Sequence, residues 1–113
     1  MLLEYFSELL MEDFMGYTYA TWLQVDRTLK IIAGFSESVH GEPNGGVSQV
    51  RTLDRIESQL SVKRSRAYQL TAIAVELGLV VRENSPGELD DRRVKYLRLT
   101  QDGVDAAREK PAA

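Results

Sequence analysis

Apolar residues return at intervals of three and four along much of this chain. From Leu2 to Met15 they fall at Leu2, Leu3, Phe6, Leu9, Leu10 and Phe14, with Glu4, Glu8 and Glu12 between them, a spacing that predicts an amphipathic helix. Gly16 ends it, and Thr18 stands where an N-cap belongs. A second helical run to about Val39 sets Trp22, Val25, Leu29, Ile32 and Phe35 or Ser36 near one face, with Asp26, Arg27 and Lys30 away from it. The period then fails in "HGEPNGGVSQ", His40 to Gln49, whose three glycines, proline and asparagine predict a loop. Val47 to Val50 is a candidate short strand leaving that loop.

The helical spacing resumes after the loop. Thr52 is a good N-cap candidate for a helix of two to three turns carrying Leu53, Ile56 and Leu60 on one side. In "SVKRS", Ser61 is placed to end that helix, and Ser65 or an earlier serine to start the next. The next helix, from about Lys63 to Leu77, has Ala67, Leu70, Ile73, Ala74 and Leu77 on one face and Gly78 at its C′ position. "LVVRE" then predicts a strand, "NSPGELDD" a turn, and "VKYLRLT" a returning strand. Val94–Tyr96–Arg98 and Lys95–Leu97–Leu99 are the two alternating sets of that strand, and either set could face inward. Thr100 caps a short last helix, "QDGVDAAREK".

The fold class expected from this order is α+β and mostly helical. It is a winged helix-turn-helix with two N-terminal helices and a wing of two strands, or three if Val47 to Val50 joins. With 113 residues one domain is expected, divided into N-terminal helices (1–40), a loop (41–49), the winged helix-turn-helix (50–103) and a short C-terminal helix or tail (104–113). No apolar run has membrane-spanning length, the N-terminus lacks the basic flank of a secretory signal, and cysteine is absent. These features fit a cytoplasmic protein without disulfides, and no partnership with a membrane is expected.

Charge divides the chain. Its net value is −3, but residues 1–50 hold seven acids and two bases while residues 51–113 hold ten acids and twelve bases. The basic residues of the second half gather where a DNA-binding helix-turn-helix needs them. Lys63, Arg64 and Arg66 crowd the start of the longer helix, where the helix dipole favours acids and a nearby phosphate would offset the cost. With Ala67 and Leu70 inward, Ser65, Arg66, Tyr68 and Gln69 face outward as candidate readers of base edges. Arg92 and Arg93 lie where the wing turn meets its returning strand, placed for a narrow minor groove; Lys95 and Arg82 add to the phosphate-anchoring charge. The plain alternative for Arg92 and Arg93 beside Asp90 and Asp91 is local charge compensation at a solvated turn.

From Thr52 to Gly103 the chain resembles the MarR-type winged-helix transcriptional regulators. The residues that carry the resemblance are Asp91-Arg92-Arg93 in the wing, Leu99-Thr100-Gln101-Asp102-Gly103 after it, and Gly78-Leu79-Val80 leaving the longer helix. Ala74 and Glu57 depart from the family pattern, which has Leu and a small Ala there. The resemblance implies that Lys63 to Gln69 begins the recognition helix, that Arg93 enters the minor groove, and that Asp91 orients the wing. It leaves the neighbouring Asp90 unexplained. Family members run on into two long C-terminal helices that build their dimer interface, whereas this chain ends at Ala113. The expectation is therefore a homodimer formed through the N-terminal helices, by Leu2, Phe6, Leu9, Leu10, Trp22 and Leu29; the plain alternative is that these residues complete the monomer core.

Enzyme chemistry finds no support in the sequence. His40 is the sole histidine and lies in the Gly/Pro loop, so no nucleophile–base–acid set can be assembled. Glu12-Asp13 and Asp90-Asp91 are sequence neighbours that point to different sides, a poor metal or acid/base pair, and Gly45-Gly46 lacks the Lys-Ser/Thr of a phosphate loop. No cofactor and no metal are expected. The function expected is sequence-specific binding of double-stranded DNA by a bacterial-type repressor or activator. The alternative is a winged-helix module that binds protein, favoured by the −3 charge and by Glu88, Asp90 and Asp91. The family also includes sensors of small phenolic effectors; Tyr17, Tyr19 and Trp22 could line such a site here, but core roles suit them better and the sequence does not support an effector.

Overall fold

A computed structural model describes residues 17–84 and 94–109. The expected first helix, Leu2 to Met15, lies outside the described residues, as do the wing tip and the last four residues. Four helices and three strands are described: α1 (Tyr19–His40), β1 (Val47–Ser48), α2 (Gln49–Leu60), α3 (Arg64–Glu76), β2 (Val80–Asn84), β3 (Lys95–Leu99) and α4 (Gln101–Arg108). The strands form an antiparallel sheet in the order β1-β3-β2. Val80 pairs with Leu99 and Asn84 with Lys95, while Val47 pairs with Leu97 on the opposite edge. The three-stranded form of the wing is thus the one adopted.

α1 starts where the sequence places it. Thr18 has extended backbone and its hydroxyl accepts from Thr21 N. The helix lies against α2, α3, α4 and β3, so its apolar stripe becomes the centre of the core. Trp22, Val25, Leu29 and Ile32 are fully buried there with Ile56, Leu70, Leu97 and Leu99. Tyr17 meets Trp22 edge-to-face at 5.3 Å. This burial corrects the dimer-contact expectation for Trp22 and Leu29: both are consumed by the core of a single chain and leave no surface for a partner. Leu2, Phe6, Leu9 and Leu10 lie outside the described residues.

The loop after α1 is held from within. Ser36 is buried; its hydroxyl donates to Glu42 O at 2.6 Å and accepts from Gly45 N at 2.7 Å. The ring of His40, the last residue of α1, closes onto Gly46 O at 2.7 Å. The helix that follows begins earlier than its best-looking cap. Ser48, not Thr52, caps α2, accepting from Arg51 N, while Thr52 is buried inside the helix with its hydroxyl donating to Ser48 O at 2.7 Å. The two-residue strand β1 runs straight into α2, and its pairing with β3 sets that start.

Ser61 ends α2 as expected, in the left-handed region with φ 54°. That leaves α3 without a serine cap: Lys63 is its N-cap residue, and no side chain caps it. Gly78 (φ 74°) closes α3 with paired bonds from Gly78 N to Val75 O and Leu79 N to Ala74 O, a Schellman turn. In β3 the Lys95–Leu97–Leu99 set faces inward, with Leu97 and Leu99 fully buried and Val94 exposed.

The Leu-Thr-x-x-Gly run is a packing device. Leu99 is buried, and the Thr100 hydroxyl accepts from Gly103 N and donates to Gly78 O at 2.8 Å. Thr100 N donates to Leu79 O at 3.0 Å. A Cβ on Gly103 would lie 2.0 Å from that same carbonyl oxygen, so only glycine lets α4 settle against the turn that leaves α3. At the far end of α4, Lys30 on α1 holds Asp26 at 2.8 Å and donates to Glu109 O at 3.2 Å.

Candidate nucleic-acid interface

α2, the turn at Ser61–Lys63 and α3 form the helix-turn-helix, and β2 and β3 form the wing beside it. On α3, Ala67, Leu70, Thr71, Ile73 and Ala74 face the core, so Ser65, Tyr68 and Gln69 are left exposed with Lys63 before them. The periodicity of the sequence predicts this outer row, and the structure has it. Two members expected as outward-reaching cations behave otherwise.

Arg64 is drawn onto α2. Its guanidinium pairs with Asp54, reaches Glu57 at 3.2 Å and donates to Val50 O at 3.3 Å. Glu57, the departure from the small residue of the family pattern, therefore has a local role as an anion for Arg64. Both partners neutralise charge that the sequence alone assigns to the DNA-facing side. The groups remain partly exposed, so the pairing fixes geometry more than it adds stability.

Arg66 turns toward α1. It donates from Nε to Gln24 Oε1 at 3.0 Å and from Nη2 to Gln24 Oε1 and Thr21 Oγ1, both at 2.8 Å. Its remaining Nη1 donates to Gln69 Oε1 at 2.7 Å. No carboxylate pairs with it among the described residues, so the positive charge is retained, but behind the outer row. These links join residues 42 and 45 apart in sequence, and no local pattern could announce them.

The wing contributes from the other side. The Arg82 guanidinium, from β2, lies over the Tyr68 ring at 5.1 Å, a cation–π contact joining strand to helix. Its Nε and Nη2 are buried and find no hydrogen-bond partner among the described residues. Lys95 donates to Asn84 Oδ1 at 2.6 Å across the strand pair, at the described end of the wing. Arg92, Arg93 and Asp91 lie outside the described residues. Lys63, Ser65, Tyr68, Gln69 and Arg82 are thus brought to one neighbourhood, with Arg64 and Arg66 as ties to α2 and α1. Sequence reasoning missed Gln24 and Thr21, whose only signal is two polar residues on an otherwise apolar side of α1.

Away from this face, a groove of about 430 Å³ between α1 and α2 is lined by Arg27, Lys30, Phe35, Arg55 and Leu60, with the Arg55 guanidinium 4.1 Å above the Phe35 ring. Tyr17 packs against the core, whereas Tyr19 is 64% exposed, so with Trp22 buried the three aromatics do not line a common cavity. Among the described residues no three His, Cys, Asp or Glu side chains gather where they could hold a metal ion. No helix among them is long and apolar enough to cross a membrane.

No protein-family model matches the chain, and no curated protein matches it in sequence. Among solved structures it is similar to ZitR of Lactococcus lactis, described as a zinc-responsive MarR family member, with a TM-score of 0.51 and 19% identity. The match covers 76% of this chain and 48% of ZitR, so the chain spans about half the length of that protein. At that identity the likeness speaks for architecture: the chain has the winged-helix fold found in a MarR family member.

Proposed function

We propose that the chain is a sequence-specific regulator that binds double-stranded DNA, with α3 in the major groove and the wing arginine Arg93 in the minor groove. The observation that carries this reading is the outer row of α3. Lys63, Ser65, Tyr68 and Gln69 are exposed, uninterrupted by apolar residues, and stand on a helix-turn-helix whose wing strand supplies Arg82 beside them. Lys63, Lys95 and Arg92 anchor phosphates, Arg64 orients the turn, and Ser65, Tyr68 and Gln69 meet base edges. The protein acts as a homodimer on a two-fold site, joined through the N-terminal segment that carries Leu2, Phe6, Leu9 and Leu10. Likeness to a MarR family member supports this reading at the level of fold.

Selection of bound sequences from a random duplex pool, together with the mass in solution, tests it. A palindromic motif and a dimeric mass are expected; a pool without enrichment would refute DNA reading. Affinity should fall with salt by a slope of about −0.9 per phosphate contact on logarithmic axes, and a flat response would remove the anchoring role.

One observation favours a second reading, a protein-binding winged helix. Arg64 is already neutralised by Asp54 and Glu57, and the whole chain carries −3. Passage through a heparin column at low salt without retention would favour that reading.

A further inference from the structure

Arg66 is the one cation of α3 whose donors reach both α1 and the exposed row. Three of its contacts end on Gln24 and on buried Thr21, in the first turns of α1, and the fourth ends on Gln69, three residues along α3. Thr21 is itself tied at 3.1 Å to Thr18, the N-cap of α1. One planar, rigid group therefore connects a fixed helix start to an exposed side chain.

The chemistry of that contact fixes how Gln69 is presented. An arginine donates and never accepts, so the amide atom of Gln69 that faces it is the oxygen. The Nε2 donors are then the end of the amide turned to an outside partner. A glutamine free to use both ends pairs with adenine, giving one bond to N7 and taking one from N6. A glutamine with its oxygen drawn back toward an arginine turns its Nε2 donors, not its acceptor, to the outside partner. The base that shows only acceptors at the major-groove edge, at two positions, is guanine, with N7 and O6.

We infer that Arg66 is a positioning residue that holds Gln69 as a donor-only reader of guanine and contacts no base itself. The inference rests on the DNA-binding reading above. It departs from the sequence-based expectation that Arg66 reads a base directly.

Selection from a random duplex pool by the full chain tests it with four variants: Gln69→Ala; Arg66→Met, which keeps the packing of the stem; Arg66→Lys, which keeps the charge but loses the planar fork; and the Arg66→Met, Gln69→Ala double variant. The wild type should select guanine at one position of each half-site. Gln69→Ala, Arg66→Met and Arg66→Lys should each relax that same position, by roughly tenfold to a hundredfold in discrimination, and the double variant should lose no more than either single one. A separate position relaxed only by the Arg66 variants, with losses that multiply in the double variant, would overturn the inference. So would adenine at the position that Gln69→Ala relaxes.

The free protein supplies a readout that needs no DNA. By ¹⁵N relaxation the Gln69 side-chain amide should be ordered in the wild type and as mobile as that of exposed Gln59 in Arg66→Met. Equal mobility in both proteins would overturn the positioning role while leaving DNA binding intact. A wild type that enriches no sequence would overturn the DNA-binding reading and the reader role with it, whatever the amide does.

Discussion

Replacing Gly103 by alanine sets two physical effects of opposite sign against each other. Gly103 is the third residue of α4, and by helix propensity alone alanine there would stabilise the protein by about 1 kcal/mol. The packing says otherwise. The new Cβ would stand 2.0 Å from Leu79 O, 3.0 Å from Leu79 C and 3.3 Å from Leu99 Cδ2. A close C···O approach is about 3.3 Å, so helix and turn must separate by roughly 1.3 Å. The obstructing atom is backbone and already accepts Thr100 N–H at 3.0 Å, so it cannot swing aside as a side chain would. Overpacking of this kind costs about 1–3 kcal/mol. Losing the Thr100 N–H bond, and weakening the Thr100 cap, adds about 1 kcal/mol each. After the propensity gain is subtracted, Gly103→Ala should destabilise by about 2–4 kcal/mol, which lowers Tm by roughly 8–16 °C for a chain of this size.

Urea unfolding followed by far-UV circular dichroism and by the fluorescence of Trp22, the sole tryptophan, measures this directly. Gly34→Ala is the matched control. Gly34 lies in α1, is exposed, and a Cβ there meets nothing within 4 Å. The same substitution should stabilise by about 0.5–1 kcal/mol, and the unfolded-state effect is common to both variants. If Gly103→Ala proved as stable as the wild type, α4 would not be seated against Leu79 as described, and the structural reading of the Leu-Thr-x-x-Gly run would fail.

Ser36→Ala leaves Glu42 O and Gly45 N without their partner, and should cost about 1–3 kcal/mol, with amide exchange at Gly45 accelerated more than in α3; unchanged exchange at Gly45 would refute the pinning role. Trp22→Ala should lose about 3–5 kcal/mol of folding stability, whereas a variant of wild-type stability but halved mass would restore the dimer-contact role. Arg64→Ala should change stability by no more than about 1 kcal/mol, because its ion pairs are partly exposed; a double-mutant cycle with Glu57→Ala that returned several kcal/mol would show a far stronger clamp.

Much of the fold was legible in the sequence because its signals are local. Trp22, Val25, Leu29 and Ile32 announce the buried side of α1 by spacing alone; Thr18 and Thr100 mark helix starts by hydroxyls that accept a first-turn N–H, and Gly78 marks a helix end by its ease at positive φ. Where a local signal misled, tertiary pairing overrode it. The sequence points to Thr52 as the N-cap of α2, and the pairing of β1 with β3 makes Ser48 the one used. The two faces of β3 were left open by the sequence until packing against α1 and α2 selected Leu97 and Leu99.

The candidate site divides along the same line. Periodicity was enough to put Ser65, Tyr68 and Gln69 outward, because Ala67 and Leu70 must face in. It could not say where the long cationic side chains end. Arg64, Arg66 and Arg82 reach partners on other elements, at Glu57, Gln24 and Tyr68, and a flexible side chain is directed by the nearest acceptor or ring rather than by its own position. By itself the sequence determined the described elements, their order and the exposed row of α3, since those follow from contacts a few residues apart. Only the tertiary structure decided where the long cationic side chains end, since that depends on groups on other elements, brought in from as far as 45 residues away.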